Sequence, residues 1–382
     1  MIDPTLGDPI IYWILRLILF TALAITGYRI SYKLEDQNNY WRYTSPVIVV
    51  YSLVEGLRYM RSWDYPHYMQ DLTGELFSDY KEVLYILWTD LFKFTGLPFW
   101  VGFVFYSAIL IISFCCLVKL YPKSAVWAFP LFLIIPSQST NLVRMYLAMA
   151  FVLFGIYYIQ TGRKKIGLGN MLASVGIHFS VLPIIFILLF LLFRESKLNK
   201  RIGFILISSY IALFILWDAS FFDIIAQWVS SIDISEYSQG QVYFDNAENW
   251  FGTAGDITSK YSGFSKAGFI MSTLNMIVPL YIIYYSFRAY MVKPQLKVLF
   301  WCTVVAFMIK LIANDMEIYM RFYYWMTCLI PIMIGEAWST VVMRAWEKII
   351  FVFVVGFYYY VAYFLYFMFV PSMTGYGFIW DK

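Results

Sequence analysis

Eight ionisable side chains stand in or beside strongly apolar stretches of this 382-residue chain: Arg58, Arg61, Asp64, Arg144, His178, Asp315, Glu317 and Arg321. Ionisable groups are costly in such surroundings and by default mark a function. Arginine presents a planar fork that matches phosphate oxygens bidentately, a geometry lysine cannot copy. A neutral histidine or a carboxylate can orient a hydroxyl or take its proton. The set therefore suits a ligand that is both anionic and hydroxylated.

Each group has a structural alternative. In EGLRYMRSWDYPHY, Glu55 and Arg58 lie one helical turn apart and can pair, and Arg61 can snorkel to headgroups. Asp64 and Tyr65 follow at once, which adds a carboxylate and a phenol to the arginines. Arg144, in SQSTNLVRMYLAMA, comes one turn after the polar Thr140 and Asn141, so a cavity-facing role is favoured. His178, in GIHFS, is one of two histidines; a lone histidine in an apolar stretch is more often structural than catalytic. In IANDMEIYMRFYYW, Glu317 and Arg321 are spaced i,i+4 and can neutralise one another, but Lys310 adds a further cation. In EVLYILWTDLFKFTG, Glu82, Thr89 and Lys93 share one face of an amphipathic helix.

The elements that must position these groups are membrane helices. With 61% hydrophobic and 14% charged residues and a mean hydropathy of +0.67, the solvent is largely lipid. The runs are continuously apolar, so the fold class is all-α, a polytopic transmembrane bundle and not a barrel. Asp3 and Asp8 before the first apolar run, with no small-residue cleavage site after it, make the start a permanent span. Apolar segments are expected near 10–28, 44–60, 98–118, 124–138, 141–160, 166–177, 180–193, 202–217, 264–287, 297–313, 319–338 and 349–370. These twelve form a single transmembrane domain over 1–382, with outer loops at 61–97 and 218–262.

Placing both termini outside puts 17 of the 28 basic residues on inner loops. The same loops carry only Glu35, Asp36, Glu195 and Glu347 among the acids, and all eight residues of the opening set then fall on the outer side. The basic stretches TGRKK and RESKLNKR, both assigned inside, flank only residues 166–193. Two arms of about 14 residues reach ~20 Å each, short of a ~30 Å hydrocarbon core. The segment is thus expected to be a short re-entrant-like hairpin with His178 at its tip, which reverses the prior against that histidine.

The four cysteines lie in apolar spans without metal-ligand spacing and read as packing residues. There is no phosphate-binding glycine loop, nucleophile elbow or zinc motif, and the aspartates are scattered, so metal-free chemistry without a cofactor is expected. No block of basic residues lies outside the short loops, so nucleic acid is excluded as a partner.

GLRYMRSWDYPHY, Glu82 opening its helix, NLVRMYLAMA, IHFSVLP and NDMEIYMRFYYW together resemble the EpsG family of exopolysaccharide and capsule polymerases, which is similar to Wzy-type O-antigen polymerases. MRSWDY departs from the family, which more often has a glycine-containing stretch before its Asp-Tyr pair. The resemblance implies a GT-C-like membrane glycosyltransferase. Its donor would be a growing glycan on polyprenyl (undecaprenyl) diphosphate, and its acceptor the sugar of an incoming lipid-linked repeat unit at the outer leaflet. The bacterial inner membrane would be its location, with the active site and both termini on the periplasmic side, and a chain-length regulator protein a further partner. On this reading Arg144, Arg321 and Arg58 hold the diphosphate, and His178 is the first candidate for a base, with Asp64 the second. Tyr65, Glu82, Asp315, Glu317 and Arg61 bind substrate. An O-antigen ligase shares this chemistry and differs in the acceptor; a flippase for the same lipid-linked oligosaccharide would place functional charges on both leaflets.

Overall fold

The computed structural model describes residues 7–59, 62, 64–74, 76, 82–194, 200–217, 220–231, 252, 266–313, 316–360 and 377–378. Helices α1 (Gly7–Lys33), α2 (Tyr40–Gly56), α3 (Tyr65–Thr73), α4 (Val83–Thr95), α5 (Phe99–Val118), α6 (Ala125–Ile134), α7 (Val143–Gln160), α8 (Lys164–Ile177) and α9 (Leu182–Phe193) come first. They are followed by α10 (Lys200–Leu216), α11 (Phe221–Ser230), α12 (Lys266–Val292), α13 (Lys297–Ala313), α14 (Glu317–Tyr324), α15 (Ile330–Thr340) and α16 (Ala345–Gly356). The described residues add short 3₁₀ turns and a two-residue antiparallel pairing of β1 (Arg58–Tyr59) with β2 (Gly377–Phe378).

The all-helical class is as expected. Among the described residues four helices are long and apolar enough to cross a bilayer: Ile11–Lys33, Phe99–Val118, Val143–Gln160 and Pro294–Ala313. A fifth is obtained if α10 and α11, bent by 78°, are one broken span. Several expected segments are interrupted. The stretch 319–338 breaks after Tyr324 and resumes at Ile330, and 124–138 yields a ten-residue helix between two 3₁₀ turns. Continuous hydrophobicity does not reveal the break at 325–329, because those turn residues are as buried as the helix that follows.

The described part of the stretch 61–97 carries α3 and α4, with Gly96 in the left-handed region ending α4. Leu87, Leu91 and Phe94 on α4 are exposed while Tyr85, Thr89 and Phe92 are buried, which fits an interfacial helix.

The chain divides into two compact units, one of residues 1–195 with 330–382 and one of residues 196–329. In the first unit, α1 and α15 close on the start of α6: a Cβ on Gly27 would strike the Ala125 carbonyl, and one on Gly335 the Ser124 carbonyl. The Ser31 hydroxyl accepts from the Val126 N–H, meeting a donor that the helix start leaves unpaired. Tyr40 ties α2 to α5 through its hydroxyl and the Cys115 carbonyl (2.6 Å), and Phe114 stacks on Phe132. All four cysteines are buried free thiols.

The hairpin of α7 and α8 matters most for function. Gly162, at φ 85°, ends α7 with two crossed hydrogen bonds, Arg163 N–H to the Tyr158 carbonyl and Gly162 N–H to the Ile159 carbonyl. The chain then returns along α7 so closely that a Cβ on Gly167 would stand 2.5 Å from Ile159 Cγ1 and 2.8 Å from the Gly155 oxygen. Gly167→Ala is therefore expected to destabilise the protein by about 1–3 kcal/mol. Gly169→Ala, with nothing near its Cβ, is expected to be neutral or slightly stabilising. Thermal unfolding of both variants in one detergent checks the contrast.

Candidate active site

α7 rises from Arg144 to Gln160 over 16 residues, and α8 returns from Lys164 to His178 over 14, which is about 24 Å out and 21 Å back at the helical rise. Arg144 and His178 are thereby brought to one end of the hairpin. His178 caps α8 in an extended conformation (φ −155°, ψ 105°) and begins the 3₁₀ turn Phe179–Val181 that leads into α9. Pro183 at the head of α9 is tolerated there because the first helical N–H groups have no internal partner.

Glu82, the residue before α4, bridges the two. Its Oε2 accepts from Arg144 Nη1 at 3.3 Å, and its Oε1 accepts from the Phe179 N–H at 3.4 Å and lies 3.5 Å from His178 Nδ1. These are loose contacts for charged partners, of a kind that an incoming anion can replace. The three side chains are 15–16% exposed, covered yet reachable. Leu84 on α4 fits against Gly176 of α8 and seats Glu82 over the hairpin end. The Arg144 guanidinium lies over the Tyr85 ring (5.4 Å), and Tyr85 donates its hydroxyl proton to the buried Asp71 (2.8 Å). Past the other ring nitrogen of His178, Nε2, stands the Ser180 hydroxyl at 3.3 Å.

Burial raises the Glu82 pKa, but the His178 hydrogen bond, the Arg144 charge and the Phe179 N–H outweigh it and hold the carboxyl at about 2. Glu82 lies outside the membrane-spanning helices. Because the folded value is depressed below the ordinary 4.5, its stabilising contribution is fully present above about pH 4.5 and is lost as pH falls toward 2. Thermal melts between pH 6 and 3 should show a loss of stability that Glu82→Gln lacks.

A second charged cluster sits at the end of α2. Arg58 is 3% exposed; Nη1 donates to the Glu55 carbonyl (2.6 Å) and Nη2 to the Thr140 carbonyl (3.0 Å). Its Nη1 is also 3.8 Å from the Glu55 carboxylate, which pairs in addition with Arg16 from α1. Ser62, with a strained φ of 102°, donates to the same Thr140 carbonyl, and the Asp64 N–H donates to Asn141 Oδ1 (3.2 Å). Three contacts thus grip Thr140 and Asn141 just before the helix that carries Arg144. Tyr65 is fully buried, donating to the Arg58 carbonyl (2.9 Å) with its ring stacked on Phe103. Beside Arg58 and Glu55 a cavity of ≈ 20 Å³, room for about one water, is lined by Tyr51, Ser107, Ser139 and Tyr146.

The structure thus gathers Glu82, Arg144 and His178, and separately Arg58, Asp64 and Tyr65. Arg321 is half-buried in the last turn of α14, in the other unit, where Lys310 lies over the Tyr323 ring. Arg61, Asp315 and the side chain of Glu317 lie outside the described residues. Sequence reasoning missed Arg16 and Ser180. Arg16 carries the signal that marked the others, an arginine inside an apolar helix, whereas nothing local distinguishes Ser180 from other serines of the chain.

A family model, that of the EpsG family, matches residues 41–379. The chain belongs to the EpsG family. No curated protein and no solved structure matches it. Membership of this family, together with the long apolar helices, makes it a membrane protein and suggests a polysaccharide polymerase-type function. Within this EpsG-family chain the matched span includes Glu82, Arg144, His178 and Arg321, and Arg16 falls before it.

Proposed function

We propose that this EpsG-family protein is a polysaccharide polymerase of the Wzy type. It transfers a growing glycan from polyprenyl (undecaprenyl) diphosphate to the sugar of an incoming lipid-linked repeat unit. The observation that carries the reading is the joining of a guanidinium and an imidazole through one carboxylate, Glu82, at a break between short helices. Arg144 meets the diphosphate, whose charge grows as the glycosidic bond breaks, and cationic donors that strengthen in the transition state are the effective ones. The diphosphate competes with Glu82 for the guanidinium, which the loose 3.3 Å contact allows. His178 takes the proton of the acceptor hydroxyl, with Asp64 the second candidate for that task.

Arg58 serves this chemistry through the turn it grips and not through its own guanidinium, both of whose Nη atoms are committed to main-chain carbonyls. Arg321 is proposed to bind diphosphate on its residue type and the family resemblance. The positive charge supplied by arginine makes a metal unnecessary in this scheme. The inner loops' basic excess supports a site on the outer face of the bacterial plasma membrane, within a GT-C-like architecture.

Reconstitution with a lipid-linked repeat unit, in the presence of a chelator, tests the function. A ladder of repeat-unit multiples is expected. Substrate crossing the bilayer with no new glycosidic bonds would overturn the proposal, as would a requirement for divalent metal for its metal-free part. Arg321→Ala, assayed alongside, is expected to stop the ladder.

A further inference from the structure

Glu82, His178 and Ser180 form a line through the imidazole ring. Glu82 Oε1 lies 3.5 Å from Nδ1 on one side, and Ser180 Oγ lies 3.3 Å from Nε2 on the other. The same carboxylate receives the Phe179 N–H and Arg144 Nη1, and an ionised carboxylate that gathers donors has no proton to give. A nitrogen facing such a group must carry the ring proton, since otherwise two lone pairs would oppose each other. That nitrogen is Nδ1. In the neutral ring Nε2 is then the unprotonated one, and the Ser180 hydroxyl is the donor to it. Free histidine prefers the opposite arrangement, with its proton on Nε2, so the protein reverses an intrinsic bias.

We propose that Glu82 is a positioning residue that fixes His178 with its proton on Nδ1 and Nε2 as the base, and that the Ser180 hydroxyl marks the place the acceptor-sugar hydroxyl takes. The inference rests on the reading of His178 as the base in glycosyl transfer. Ser180 is exposed and sits on the 3₁₀ turn at the open side of the ring, so a single χ1 rotation clears the position. The acceptor hydroxyl then donates to Nε2 in its stead. As its oxygen bonds to the donor's anomeric carbon, its proton passes to Nε2. The bond from that carbon to the diphosphate oxygen breaks, and the electron pair leaves with the diphosphate. The imidazolium so formed is stabilised by Glu82 beside Nδ1–H, and its proton is later released to water.

The tautomer is measurable without any substrate. The chain has two histidines, His67 and His178, so in protein labelled with ¹⁵N-histidine and held in lipid nanodiscs the His178 signals are identified by their loss in His178→Gln. At neutral pH the expected spectrum shows a protonated Nδ1 and an unprotonated Nε2 for His178, and Glu82→Leu moves the proton toward Nε2. A wild-type His178 with its proton on Nε2 overturns the proposal, and this spectrum decides the tautomer whether or not Glu82→Leu folds. An unchanged tautomer in a folded Glu82→Leu removes Glu82 from the positioning role. Kinetically, Ser180→Ala is expected to lower the acceptor KM about two- to three-fold, since no hydroxyl has then to be displaced, and Ser180→Val, whose branched side chain fills the place, to raise it about ten-fold. An acceptor KM unchanged in both variants, or a loss of about ten-fold in the kcat of Ser180→Ala, overturns the assignment of Ser180. Full activity in His178→Gln would instead refute the base in the proposed function while leaving the tautomer measurement intact, so the two failures are distinguishable.

Discussion

Arg144→Ala is expected to lower the rate of glycan ladder formation by about 10²–10³-fold, the range seen when one donor to a developing charge is removed from a preorganised site. The loss should appear in both KM and kcat, because the diphosphate is already charged in the ground state and the growing charge adds a part specific to the transition state. Folding should survive. The Arg144–Glu82 pair is loose and partly accessible, and Glu82 keeps the Phe179 N–H and the His178 ring as neighbours. Arg144→Lys retains the charge but not the fork, and a single ammonium cannot place two donors where a bidentate phosphate contact needs them. It is expected to recover only part of the rate. Ladder formation in proteoliposomes, normalised to folded protein by size-exclusion chromatography, measures both variants; wild-type activity in Arg144→Ala would remove this residue from the diphosphate site.

His178→Gln is expected to cost about 10²–10⁴-fold in ladder formation, the usual worth of a positioned general base. Glutamine preserves a polar group at the helix break and can still donate toward Glu82, so the local fold should hold. What it cannot do is accept and then release a proton. The two variants separate binding from proton transfer. Arg144→Ala should weaken binding of a non-transferable lipid diphosphate, whereas His178→Gln should bind it as the unsubstituted protein does and fail at the chemical step. A His178→Gln protein that both binds and elongates normally would leave Asp64 as the remaining candidate.

The single-residue features of this site are legible in the amino-acid sequence. An arginine in NLVRMY and a histidine in GIHFS are anomalies of cost, and cost depends only on the local surroundings of a residue in the chain. The helix break at His178 is legible too, from two basic flanks too close together for a full crossing and from the proline that follows. The interruptions of the other expected spans are not. Apolar runs hide their own breaks, and the one at 325–329 lies among residues as buried as the helix that follows.

What the sequence by itself determined is therefore the solvent, the helical class, the family and the identity of the costly residues. Hydropathy, periodicity and charge are properties that each stretch of chain carries alone. Only the tertiary structure decided who meets whom. Glu82 is 62 residues from Arg144 and 96 from His178, and no local rule couples such distant positions. Their meeting depends on α8 returning flush against α7, which the facing Gly155 and Gly167 permit, and on Leu84 seating Glu82 beside Gly176. The contact of Arg58 with the Thr140 carbonyl, on the turn before Arg144, comes from the tertiary structure in the same way. The reason is physical: a side chain's chemistry is fixed by its type, but its task is fixed by the faces that close packing turns toward one another.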